Sequence, residues 1–212
     1  MSSQNSMLSM AETMYEDGKE FEMRIGRIVG GRFCPGLSFL TFAKLYTTTK
    51  NKYSARVSQS HMIDYIKGRD RLTVYDDGTE ALISKKDRVT RDFQGKGITF
   101  DVRLSSCLEE PYGIVNDIRV SHMDNPDMVR EKDRATVSFD GFHIDFTVVT
   151  LLHTKQVFSG DQEKESVTYE VEIEVESKEA LEEAQTHLYS FMKLLGDGSS
   201  YAADCFVSLC SH

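Results

Sequence analysis

The sequence lacks the features that mark several large classes of protein. Its four cysteines form no CxxC motif and show no zinc-like spacing to histidine, which excludes the common structural zinc sites. No stretch is apolar over the length of a membrane span, and the polar start "MSSQNSMLSM" has neither the basic residues nor the apolar run of a signal peptide. We therefore expect a soluble intracellular protein with no membrane partner.

Positive charge and familiar catalytic motifs are also scarce. The 212 residues include 25 basic and 34 acidic side chains, which gives a formal net charge of −9. This balance argues against a protein that covers nucleic acid with a broad basic surface, although it allows a local basic site. The sequence contains no glycine-rich phosphate loop, no HExxH and no GxSxG.

Alternation of apolar and polar residues is what the sequence has in abundance. From Lys19 onward this pattern predicts eight β-strands. They are residues 20–28, 71–76, 80–89, 98–110, 114–123, 130–139, 142–150 and 168–176. Turn signals at 76–79 and 140–141 predict antiparallel hairpins between neighbouring strands.

Two segments have the spacing of helices. Residues 38–46 place Phe39, Phe42 and Tyr46 on one stripe, with Ser38 as the predicted N-cap. Residues 177–195 carry apolar side chains every three to four positions, and Gly196 follows as the predicted end. We expect residues 1–14 to be a disordered tail and residues 15–212 to form a single domain.

Eight antiparallel strands can form a closed barrel or a sandwich. In a barrel whose apolar faces pack outward against helices, the charged faces converge on the axis and line a polar tunnel. In a sandwich the apolar faces meet inside and the charges face water. Alternation alone favours the sandwich, because charged strand faces are usually solvated.

Two acidic rows lie near the two ends of the strand sequence. Glu20 and Glu22 share one face of the first strand. One face of the last strand carries Glu170, Glu172 and Glu174. Closure of a barrel would make these strands neighbours, and like charges about 4 Å apart repel by about 4 kcal/mol at an effective dielectric near 20. Cations would have to neutralise such a cluster, and oxygen-only ligands suit Mg²⁺ or Mn²⁺.

Basic residues form matching rows. One strand face carries Arg130, Lys132 and Arg134. Arg71 and Arg103 also lie on polar strand faces, whereas Lys85 is less clear, because its face carries Ile83 and Val89 as well. A metal held by carboxylates opposite a row of cations is what a polyphosphate substrate requires. The alternative is a non-enzymatic β-sandwich interaction module with solvated charges.

Five motifs, taken in order, resemble the metal-dependent RNA triphosphatases of fungi, protozoa and some DNA viruses, within the triphosphate tunnel metalloenzymes. The opening ExEx(K/R) strand of that family resembles "EFEMRIG", and its basic strand ending in Glu before Pro resembles "FDVRLSSCLEEP". Its Arg/Lys strand, Asp-x-Thr strand and closing glutamate strand resemble "REKDR", "HIDFT" and "YEVEIEVE". The resemblance implies a mainly β fold, an eight-stranded antiparallel barrel with a polar interior and helices outside.

The resemblance also implies which residues bind the metal ion and which bind the triphosphate. Glu20, Glu22 and Glu174 would bind Mg²⁺ or Mn²⁺. The triphosphate would contact Arg71, Lys85, Arg103, Lys132 and Arg134. Arg69 and Lys86 remain alternatives to Arg71 and Lys85, because the strands that carry them are short and poorly patterned.

A catalytic set follows from the same resemblance. Glu109 would orient or deprotonate the attacking water, and Asp145 and Thr147 would brace the site. Glu170 and Glu172 would complete the acidic floor. The set also includes the basic residues Arg103, Lys132 and Arg134.

The implied reaction removes the γ-phosphate from the 5′-triphosphate end of RNA, the first step of mRNA cap formation. Metal-dependent NTP hydrolysis would accompany it, a guanylyltransferase is a candidate partner, and the nucleus is the implied location, or the cytoplasm for a viral protein. A sister tunnel enzyme that acts on inorganic triphosphate, thiamine triphosphate or ATP cyclisation is the alternative.

Two departures from the family pattern stand out. The chain has no tryptophan, and so no tryptophan-bearing peptide like the one through which fungal members bind guanylyltransferase. His143 stands where the yeast-type enzymes carry an arginine, so we expect a less basic wall at neutral pH.

Overall fold

The computed structural model describes residues 3–94, 100–111, 125–154 and 166–196. Within these residues the strands are β1 (Glu20–Val29), β2 (Arg32–Pro35), β3 (Val57–Lys67), β4 (Asp70–Tyr75), β5 (Glu80–Phe93), β6 (Asp101–Pro111), β7 (Met128–Ser138), β8 (Phe142–Thr154) and β9 (Ser166–Val175). The helices are α1 (Ser3–Met14), α2 (Phe39–Lys52) and α3 (Leu181–Gly196).

Eight of the strands close into an antiparallel barrel. Hydrogen bonding runs through β1, β6, β5, β4, β3, β7, β8 and β9 and returns to β1. Strand β2 lies beside this ring and pairs with the end of β1. Glu22 of the first strand lies opposite Glu174 of the last. The barrel prediction is therefore confirmed, and the sandwich is excluded.

The hydrophobic core lies outside the barrel wall. Val171, Ile173 and Val175 of β9 are buried there with Phe146 of β8 and Leu188 of α3. Side chains alternate between the two sides of a strand, so this burial turns the glutamates between them toward the axis. Burying one such apolar side chain stabilises the fold by about 1.5–3 kcal/mol. The outer core therefore fixes which residues enter the barrel.

Helices α2 and α3 pack on this outer surface as the sequence predicted. The backbone N–H of Thr41 donates to the Ser38 hydroxyl at 3.3 Å, which confirms the predicted N-cap. Ala184 and Leu188 face the core from α3. No helix in the described part of the chain is both long enough and apolar enough to cross a membrane.

The N-terminal segment differs from its prediction. Residues 3–14, expected to be disordered, form helix α1. Met7 and Ala11, four positions apart, are buried in the outer core. Residues at this spacing lie on one face of a helix, so a narrow apolar stripe is enough to hold an otherwise polar segment in place.

One barrel strand was missed in the sequence. Seven predicted strands match β1 and β4–β9, while the predicted strand at 114–123 lies outside the described residues. The eighth barrel strand is β3. Its inward positions carry Met62, Asp64 and Ile66, opposite Lys132, Arg130 and Arg71 respectively. Because this face mixes apolar and charged residues, alternation did not reveal it.

Candidate active site

The inward strand faces enclose a polar cavity of about 730 Å³. Carboxylates from β1, β6 and β9 share this space with cations from β1, β4, β5 and β7. The acidic residues that line it are Glu20, Asp70, Asp87, Glu109, Glu170, Glu172 and Glu174. The basic residues that line it are Arg24, Arg69, Arg71, Lys85, Arg88, Arg130, Lys132 and Arg134. Most of the predicted site residues are thus brought together.

Arg24 joins the two acidic rows across the seam where the barrel closes. Its Nη2 lies 2.8 Å from Glu22 Oε2 and 3.1 Å from Glu172 Oε1. Burial alone would lower the pKa of Arg24, but these two carboxylates raise it above its ordinary value. Burial alone would raise the pKa of Glu172, but the positive charges of Arg24 and Arg134 hold it below its usual range. Burial and the charge of Glu172 raise the pKa of its neighbour Glu170.

A second cluster gathers Glu20, Lys85, Cys107 and Glu109. The Lys85 Nζ lies 2.8 Å from Glu20 Oε2 and 2.8 Å from Glu109 Oε1. Burial raises the pKa of the Cys107 thiol to about 12, so it stays protonated and donates to Glu20 at 3.2 Å. Although burial raises the pKa of Glu109, a hydrogen bond with Glu20 and the charge of Lys85 lower it overall. Glu109 is therefore ionised and able to accept a proton.

The basic wall is organised by Asp64, a buried residue that the sequence analysis missed. Asp64 Oδ2 lies 2.6 Å from Lys132 Nζ and 3.1 Å from Arg130 Nη2. The Thr73 hydroxyl donates to its other oxygen at 2.7 Å. Burial alone would raise the pKa of Asp64, but Lys132 lowers it to about 2. Burial lowers the pKa of Lys132 in turn.

Asp145 and Thr147 hold the neighbouring cation. Arg134 Nη1 lies 2.8 Å from Asp145 Oδ2, and Arg134 Nε donates to the Thr147 hydroxyl at 3.2 Å. Asp145 and Thr147 are both buried. Two fixed acceptors restrict the guanidinium to one orientation, which suits the bracing role expected of them.

The family of this chain is known from its sequence. The model of the mRNA triphosphatase family, described as "mRNA capping enzyme, beta chain", matches residues 38–190. The chain belongs to this family. It is an RNA triphosphatase of the mRNA capping system and a hydrolase of the tunnel superfamily, as the sequence resemblance implied. No curated protein sequence gives a significant match.

Solved structures share the tunnel fold of this RNA triphosphatase. The Schizosaccharomyces pombe Pct1 RNA triphosphatase, in complex with the Spt5 CTD, has a TM-score of 0.67 at 15% identity, covering 92% of this chain and 91% of that one. The triphosphatase domain of a trifunctional mimivirus mRNA capping enzyme has a TM-score of 0.60 at 13% identity, covering 91% and 95%. At such identities the likeness shows the fold alone.

His143 makes the wall of this triphosphatase more basic than its sequence suggested. Its Nε2 lies 3.4 Å from Glu174 Oε2 and 3.7 Å from Asp145 Oδ2. Burial alone would lower the pKa of His143, but these carboxylates raise it to about 9. The histidine is therefore charged at neutral pH, and the expectation of a less basic wall is wrong.

Arg103 is placed differently from the prediction. It shares the inward face with Arg24. Its guanidinium, however, binds both carboxylate oxygens of Asp92 at 2.7 and 2.9 Å and lies 4.6 Å from the centre of the Phe33 ring. The cavity lining formed by the described residues includes Arg88 and not Arg103. Alternation located the correct face but not the depth along the barrel.

The predicted metal ligands lie on adjacent strands, and each contacts a cation. Glu20 contacts Lys85, Glu22 contacts two arginines and Glu174 contacts His143. Oxygen-only donors suit a hard divalent cation, which would take over from these side chains in neutralising the glutamates. Within the described residues, the ligand atoms found within 4.8 Å of one another are those of Glu20, Cys107 and Glu109. A protonated thiol is a poor ligand, so the triplet of glutamates stays our prediction.

Proposed function

We propose that this RNA triphosphatase binds the 5′-triphosphate end of RNA in the barrel cavity and hydrolyses the bond between the β- and γ-phosphates. Water supplies the incoming oxygen, inorganic phosphate leaves, and the RNA keeps a diphosphate end. The observation that carries this proposal is the cavity itself, in which a carboxylate floor faces a row of cations. A polyphosphate chain needs several cations in a confined space. Because the carboxylate floor would repel the phosphates, a metal ion between them is needed for both to occupy the cavity.

The roles of the basic residues follow from their placement. Lys132, Arg134 and Arg71 extend from neighbouring parts of the wall and would hold the phosphate oxygens. Lys132 and Arg134 are fixed by Asp64 and Asp145, so they keep their positions without the substrate. Phosphoryl transfer depends mainly on positioning and on neutralising charge, and fixed cations provide both.

Glu109 is placed to handle the attacking water. It is ionised, lines the cavity and lies beside Lys85 and Arg71. An ionised carboxylate at hydrogen-bond distance can orient a water molecule and accept its proton as the new P–O bond forms. The adjacent cations would keep the phosphate within reach of that water.

Glu20, Glu22 and Glu174 would hold the divalent ion, and either Mg²⁺ or Mn²⁺ suits three carboxylates. When bound, the ion supplies polarisation of the phosphate oxygens. Because the wall residues would contact the phosphates of the substrate, we expect hydrolysis of free NTPs as a side activity. The diphosphate product is the acceptor for guanylylation, so we propose a guanylyltransferase as partner, with action in the nucleus or, for a viral protein, in the cytoplasm.

Phosphate release from two substrates tests this proposal. The protein is incubated with triphosphate-ended RNA and with tripolyphosphate, in the presence of Mg²⁺, Mn²⁺ or EDTA. We expect release from the RNA end with either metal and none in EDTA. Release from tripolyphosphate alone would contradict the RNA substrate and favour a sister tunnel enzyme.

The variant Glu22→Gln tests whether activity requires a carboxylate inside the barrel, and not merely negative charge anywhere on the protein. We expect it to lower phosphate release by about 100- to 1000-fold while the protein stays folded, because a buried ligand oxygen becomes an amide. Glu110→Gln, at an exposed position on the outer side of β6, is the matched control and should keep full activity. Full activity of Glu22→Gln would contradict the tunnel site.

A further inference from the structure

A bulge in β5 brings an unpredicted arginine into the cavity. Lys85 pairs with Glu109 and Lys86 with Leu108, but the next pair is Val89 with Ser106. β5 therefore carries one extra residue, and Asp87 adopts the left-handed conformation with φ of 50°. Such a bulge can re-aim a side chain, and here Arg88 lines the cavity.

Arg88 binds one of the predicted metal ligands. Its Nη2 lies 3.1 Å from Glu22 Oε1, and its Nε donates to the Ser105 hydroxyl at 3.1 Å. The other carboxylate oxygen of Glu22 accepts from Arg24 at 2.8 Å. The Glu22 side chain is only 4% exposed, so its charge requires cations close by.

The two arginines around Glu22 differ in how firmly they are held. Arg24 also contacts Glu172 and is anchored between the acidic rows. The Arg88 side chain is 43% exposed, and its second contact is a neutral hydroxyl. A cation that replaced a guanidinium at Glu22 would therefore displace Arg88 more easily than Arg24.

We propose that Arg88 is a substrate-binding residue that changes partners between Glu22 and a phosphate of the substrate. Without metal, its guanidinium neutralises Glu22. When a divalent ion takes over that neutralisation, the long and exposed side chain turns within the cavity to a phosphate oxygen, for which a guanidinium is a good partner. This inference rests on the proposed function, because it takes Glu22 as a metal ligand.

The proposal predicts opposite effects on two kinds of binding. Removing Arg88 removes a competitor for Glu22, so metal should bind more tightly in the absence of substrate. It also removes a phosphate contact, so substrate should bind more weakly. A merely structural ion pair would weaken the fold without producing this pair of opposite changes.

The test compares Arg88→Ala with Arg91→Ala in the full chain. Arg91 is a matched control, because it lies on the same strand, is exposed and donates to the Thr90 carbonyl. Mn²⁺ is titrated by thermal shift without substrate, since a ligand of the folded state raises the melting temperature. The KM for triphosphate-ended RNA is then measured at saturating Mn²⁺.

For Arg88→Ala we expect half-saturation at about three- to tenfold less Mn²⁺, as loss of a competing charge near a buried carboxylate implies. The KM should rise about tenfold, since one charge-assisted phosphate contact is lost. Both values for Arg88→Lys should lie between those of wild type and Arg88→Ala, because lysine keeps the charge but lacks the paired N–H donors of a guanidinium. Arg91→Ala should match wild type in both measurements.

Two results would overturn the partner exchange: Mn²⁺ affinity of Arg88→Ala equal to or weaker than wild type, or an unchanged KM. If Arg88→Ala does not fold, Arg88→Gln takes its place, because an amide keeps the hydrogen bond to Ser105 and removes the charge. Failure of the metal assignment itself is distinguishable. In that case Glu22→Gln would bind Mn²⁺ as wild type does, whatever Arg88→Ala shows.

Discussion

Two lysine–glutamate pairs occupy consecutive positions of β5 and β6, one on the inside of the barrel and one on its outside. Lys85 and Glu109 face the cavity, with side chains 19% and 27% exposed. Lys86 and Glu110 form a salt bridge on the outer side, where they are 47% and 48% exposed. The residue types are identical, and each inner residue is one position from its outer counterpart.

The surroundings give these pairs different roles. Lys85 also contacts Glu20, and Glu109 also contacts Arg71, so the inner pair is part of a charged network in a confined space. Charges there interact strongly, because little water screens them. An exposed pair contributes about 0–1 kcal/mol, because water competes and two flexible side chains must be ordered. In this fold the side of the wall, rather than the residue type, decides the role of a lysine.

Among the variants that test this difference between the two sides of the wall, Lys85→Ala should have the greatest effect. It removes a cation proposed to bind phosphate and leaves Glu20 and Glu109 without their shared salt-bridge partner. We expect kcat/KM for triphosphate-ended RNA to fall by about 100- to 1000-fold. Circular dichroism and the unfolding midpoint serve as the control for folding. Retention of most of the activity would show that the inner pair is only structural.

A pH dependence is expected from His143, whose charge is also set by its inward position. Its pKa is raised from 6.5 to about 9, so its stabilising contribution is complete below pH 6.5 and lost as the pH rises through 9. After allowance for solvent screening, we expect the free energy of unfolding to fall by about 2 kcal/mol between about pH 6 and pH 9.5.

Chemical denaturation in EDTA at both pH values measures this change. His143→Gln should flatten the dependence, because glutamine does not titrate, and the difference between the two proteins removes the contribution of other groups. An equal slope in wild type and His143→Gln would show that Glu174 and Asp145 do not hold the histidine in its charged form.

The regular part of this inner surface could be predicted from sequence. Strands β1 and β9 alternate strictly, so Glu20, Glu22 and the glutamates of β9 were assigned to one face correctly. Closure of the barrel then followed from the resemblance, because alternation alone could not separate a tunnel from a sandwich. The face of Lys85 was ambiguous for a physical reason. The bulge after Lys86 moves Val89 to the outer side, so Lys85 and Val89 do not share a face.

The irregular part could not be predicted. Asp64 lies on an inward face that also carries Met62 and Ile66, and a mixed face gives no periodic signal. Arg88 reaches the cavity through an extra residue that no sequence pattern marked. Arg103 lies on the inward face of β6 as predicted, but Asp92 and Phe33 hold it away from the cavity. Such partners come from distant parts of the chain. Bulges and long-range partners thus limit what periodicity can show.

The smallest effect is expected for Lys86→Ala, the outer counterpart of Lys85→Ala. Its salt bridge to Glu110 is exposed, so its loss should change the free energy of unfolding by less than about 0.5 kcal/mol. The kcat/KM for triphosphate-ended RNA should stay within about twofold of wild type, because a side chain on the outer face cannot reach a ligand inside. A loss comparable to that of Lys85→Ala would mean that the two residues had exchanged faces. In that case the register of β5 against β6, and with it the bulge that directs Arg88 into the cavity, would be wrong.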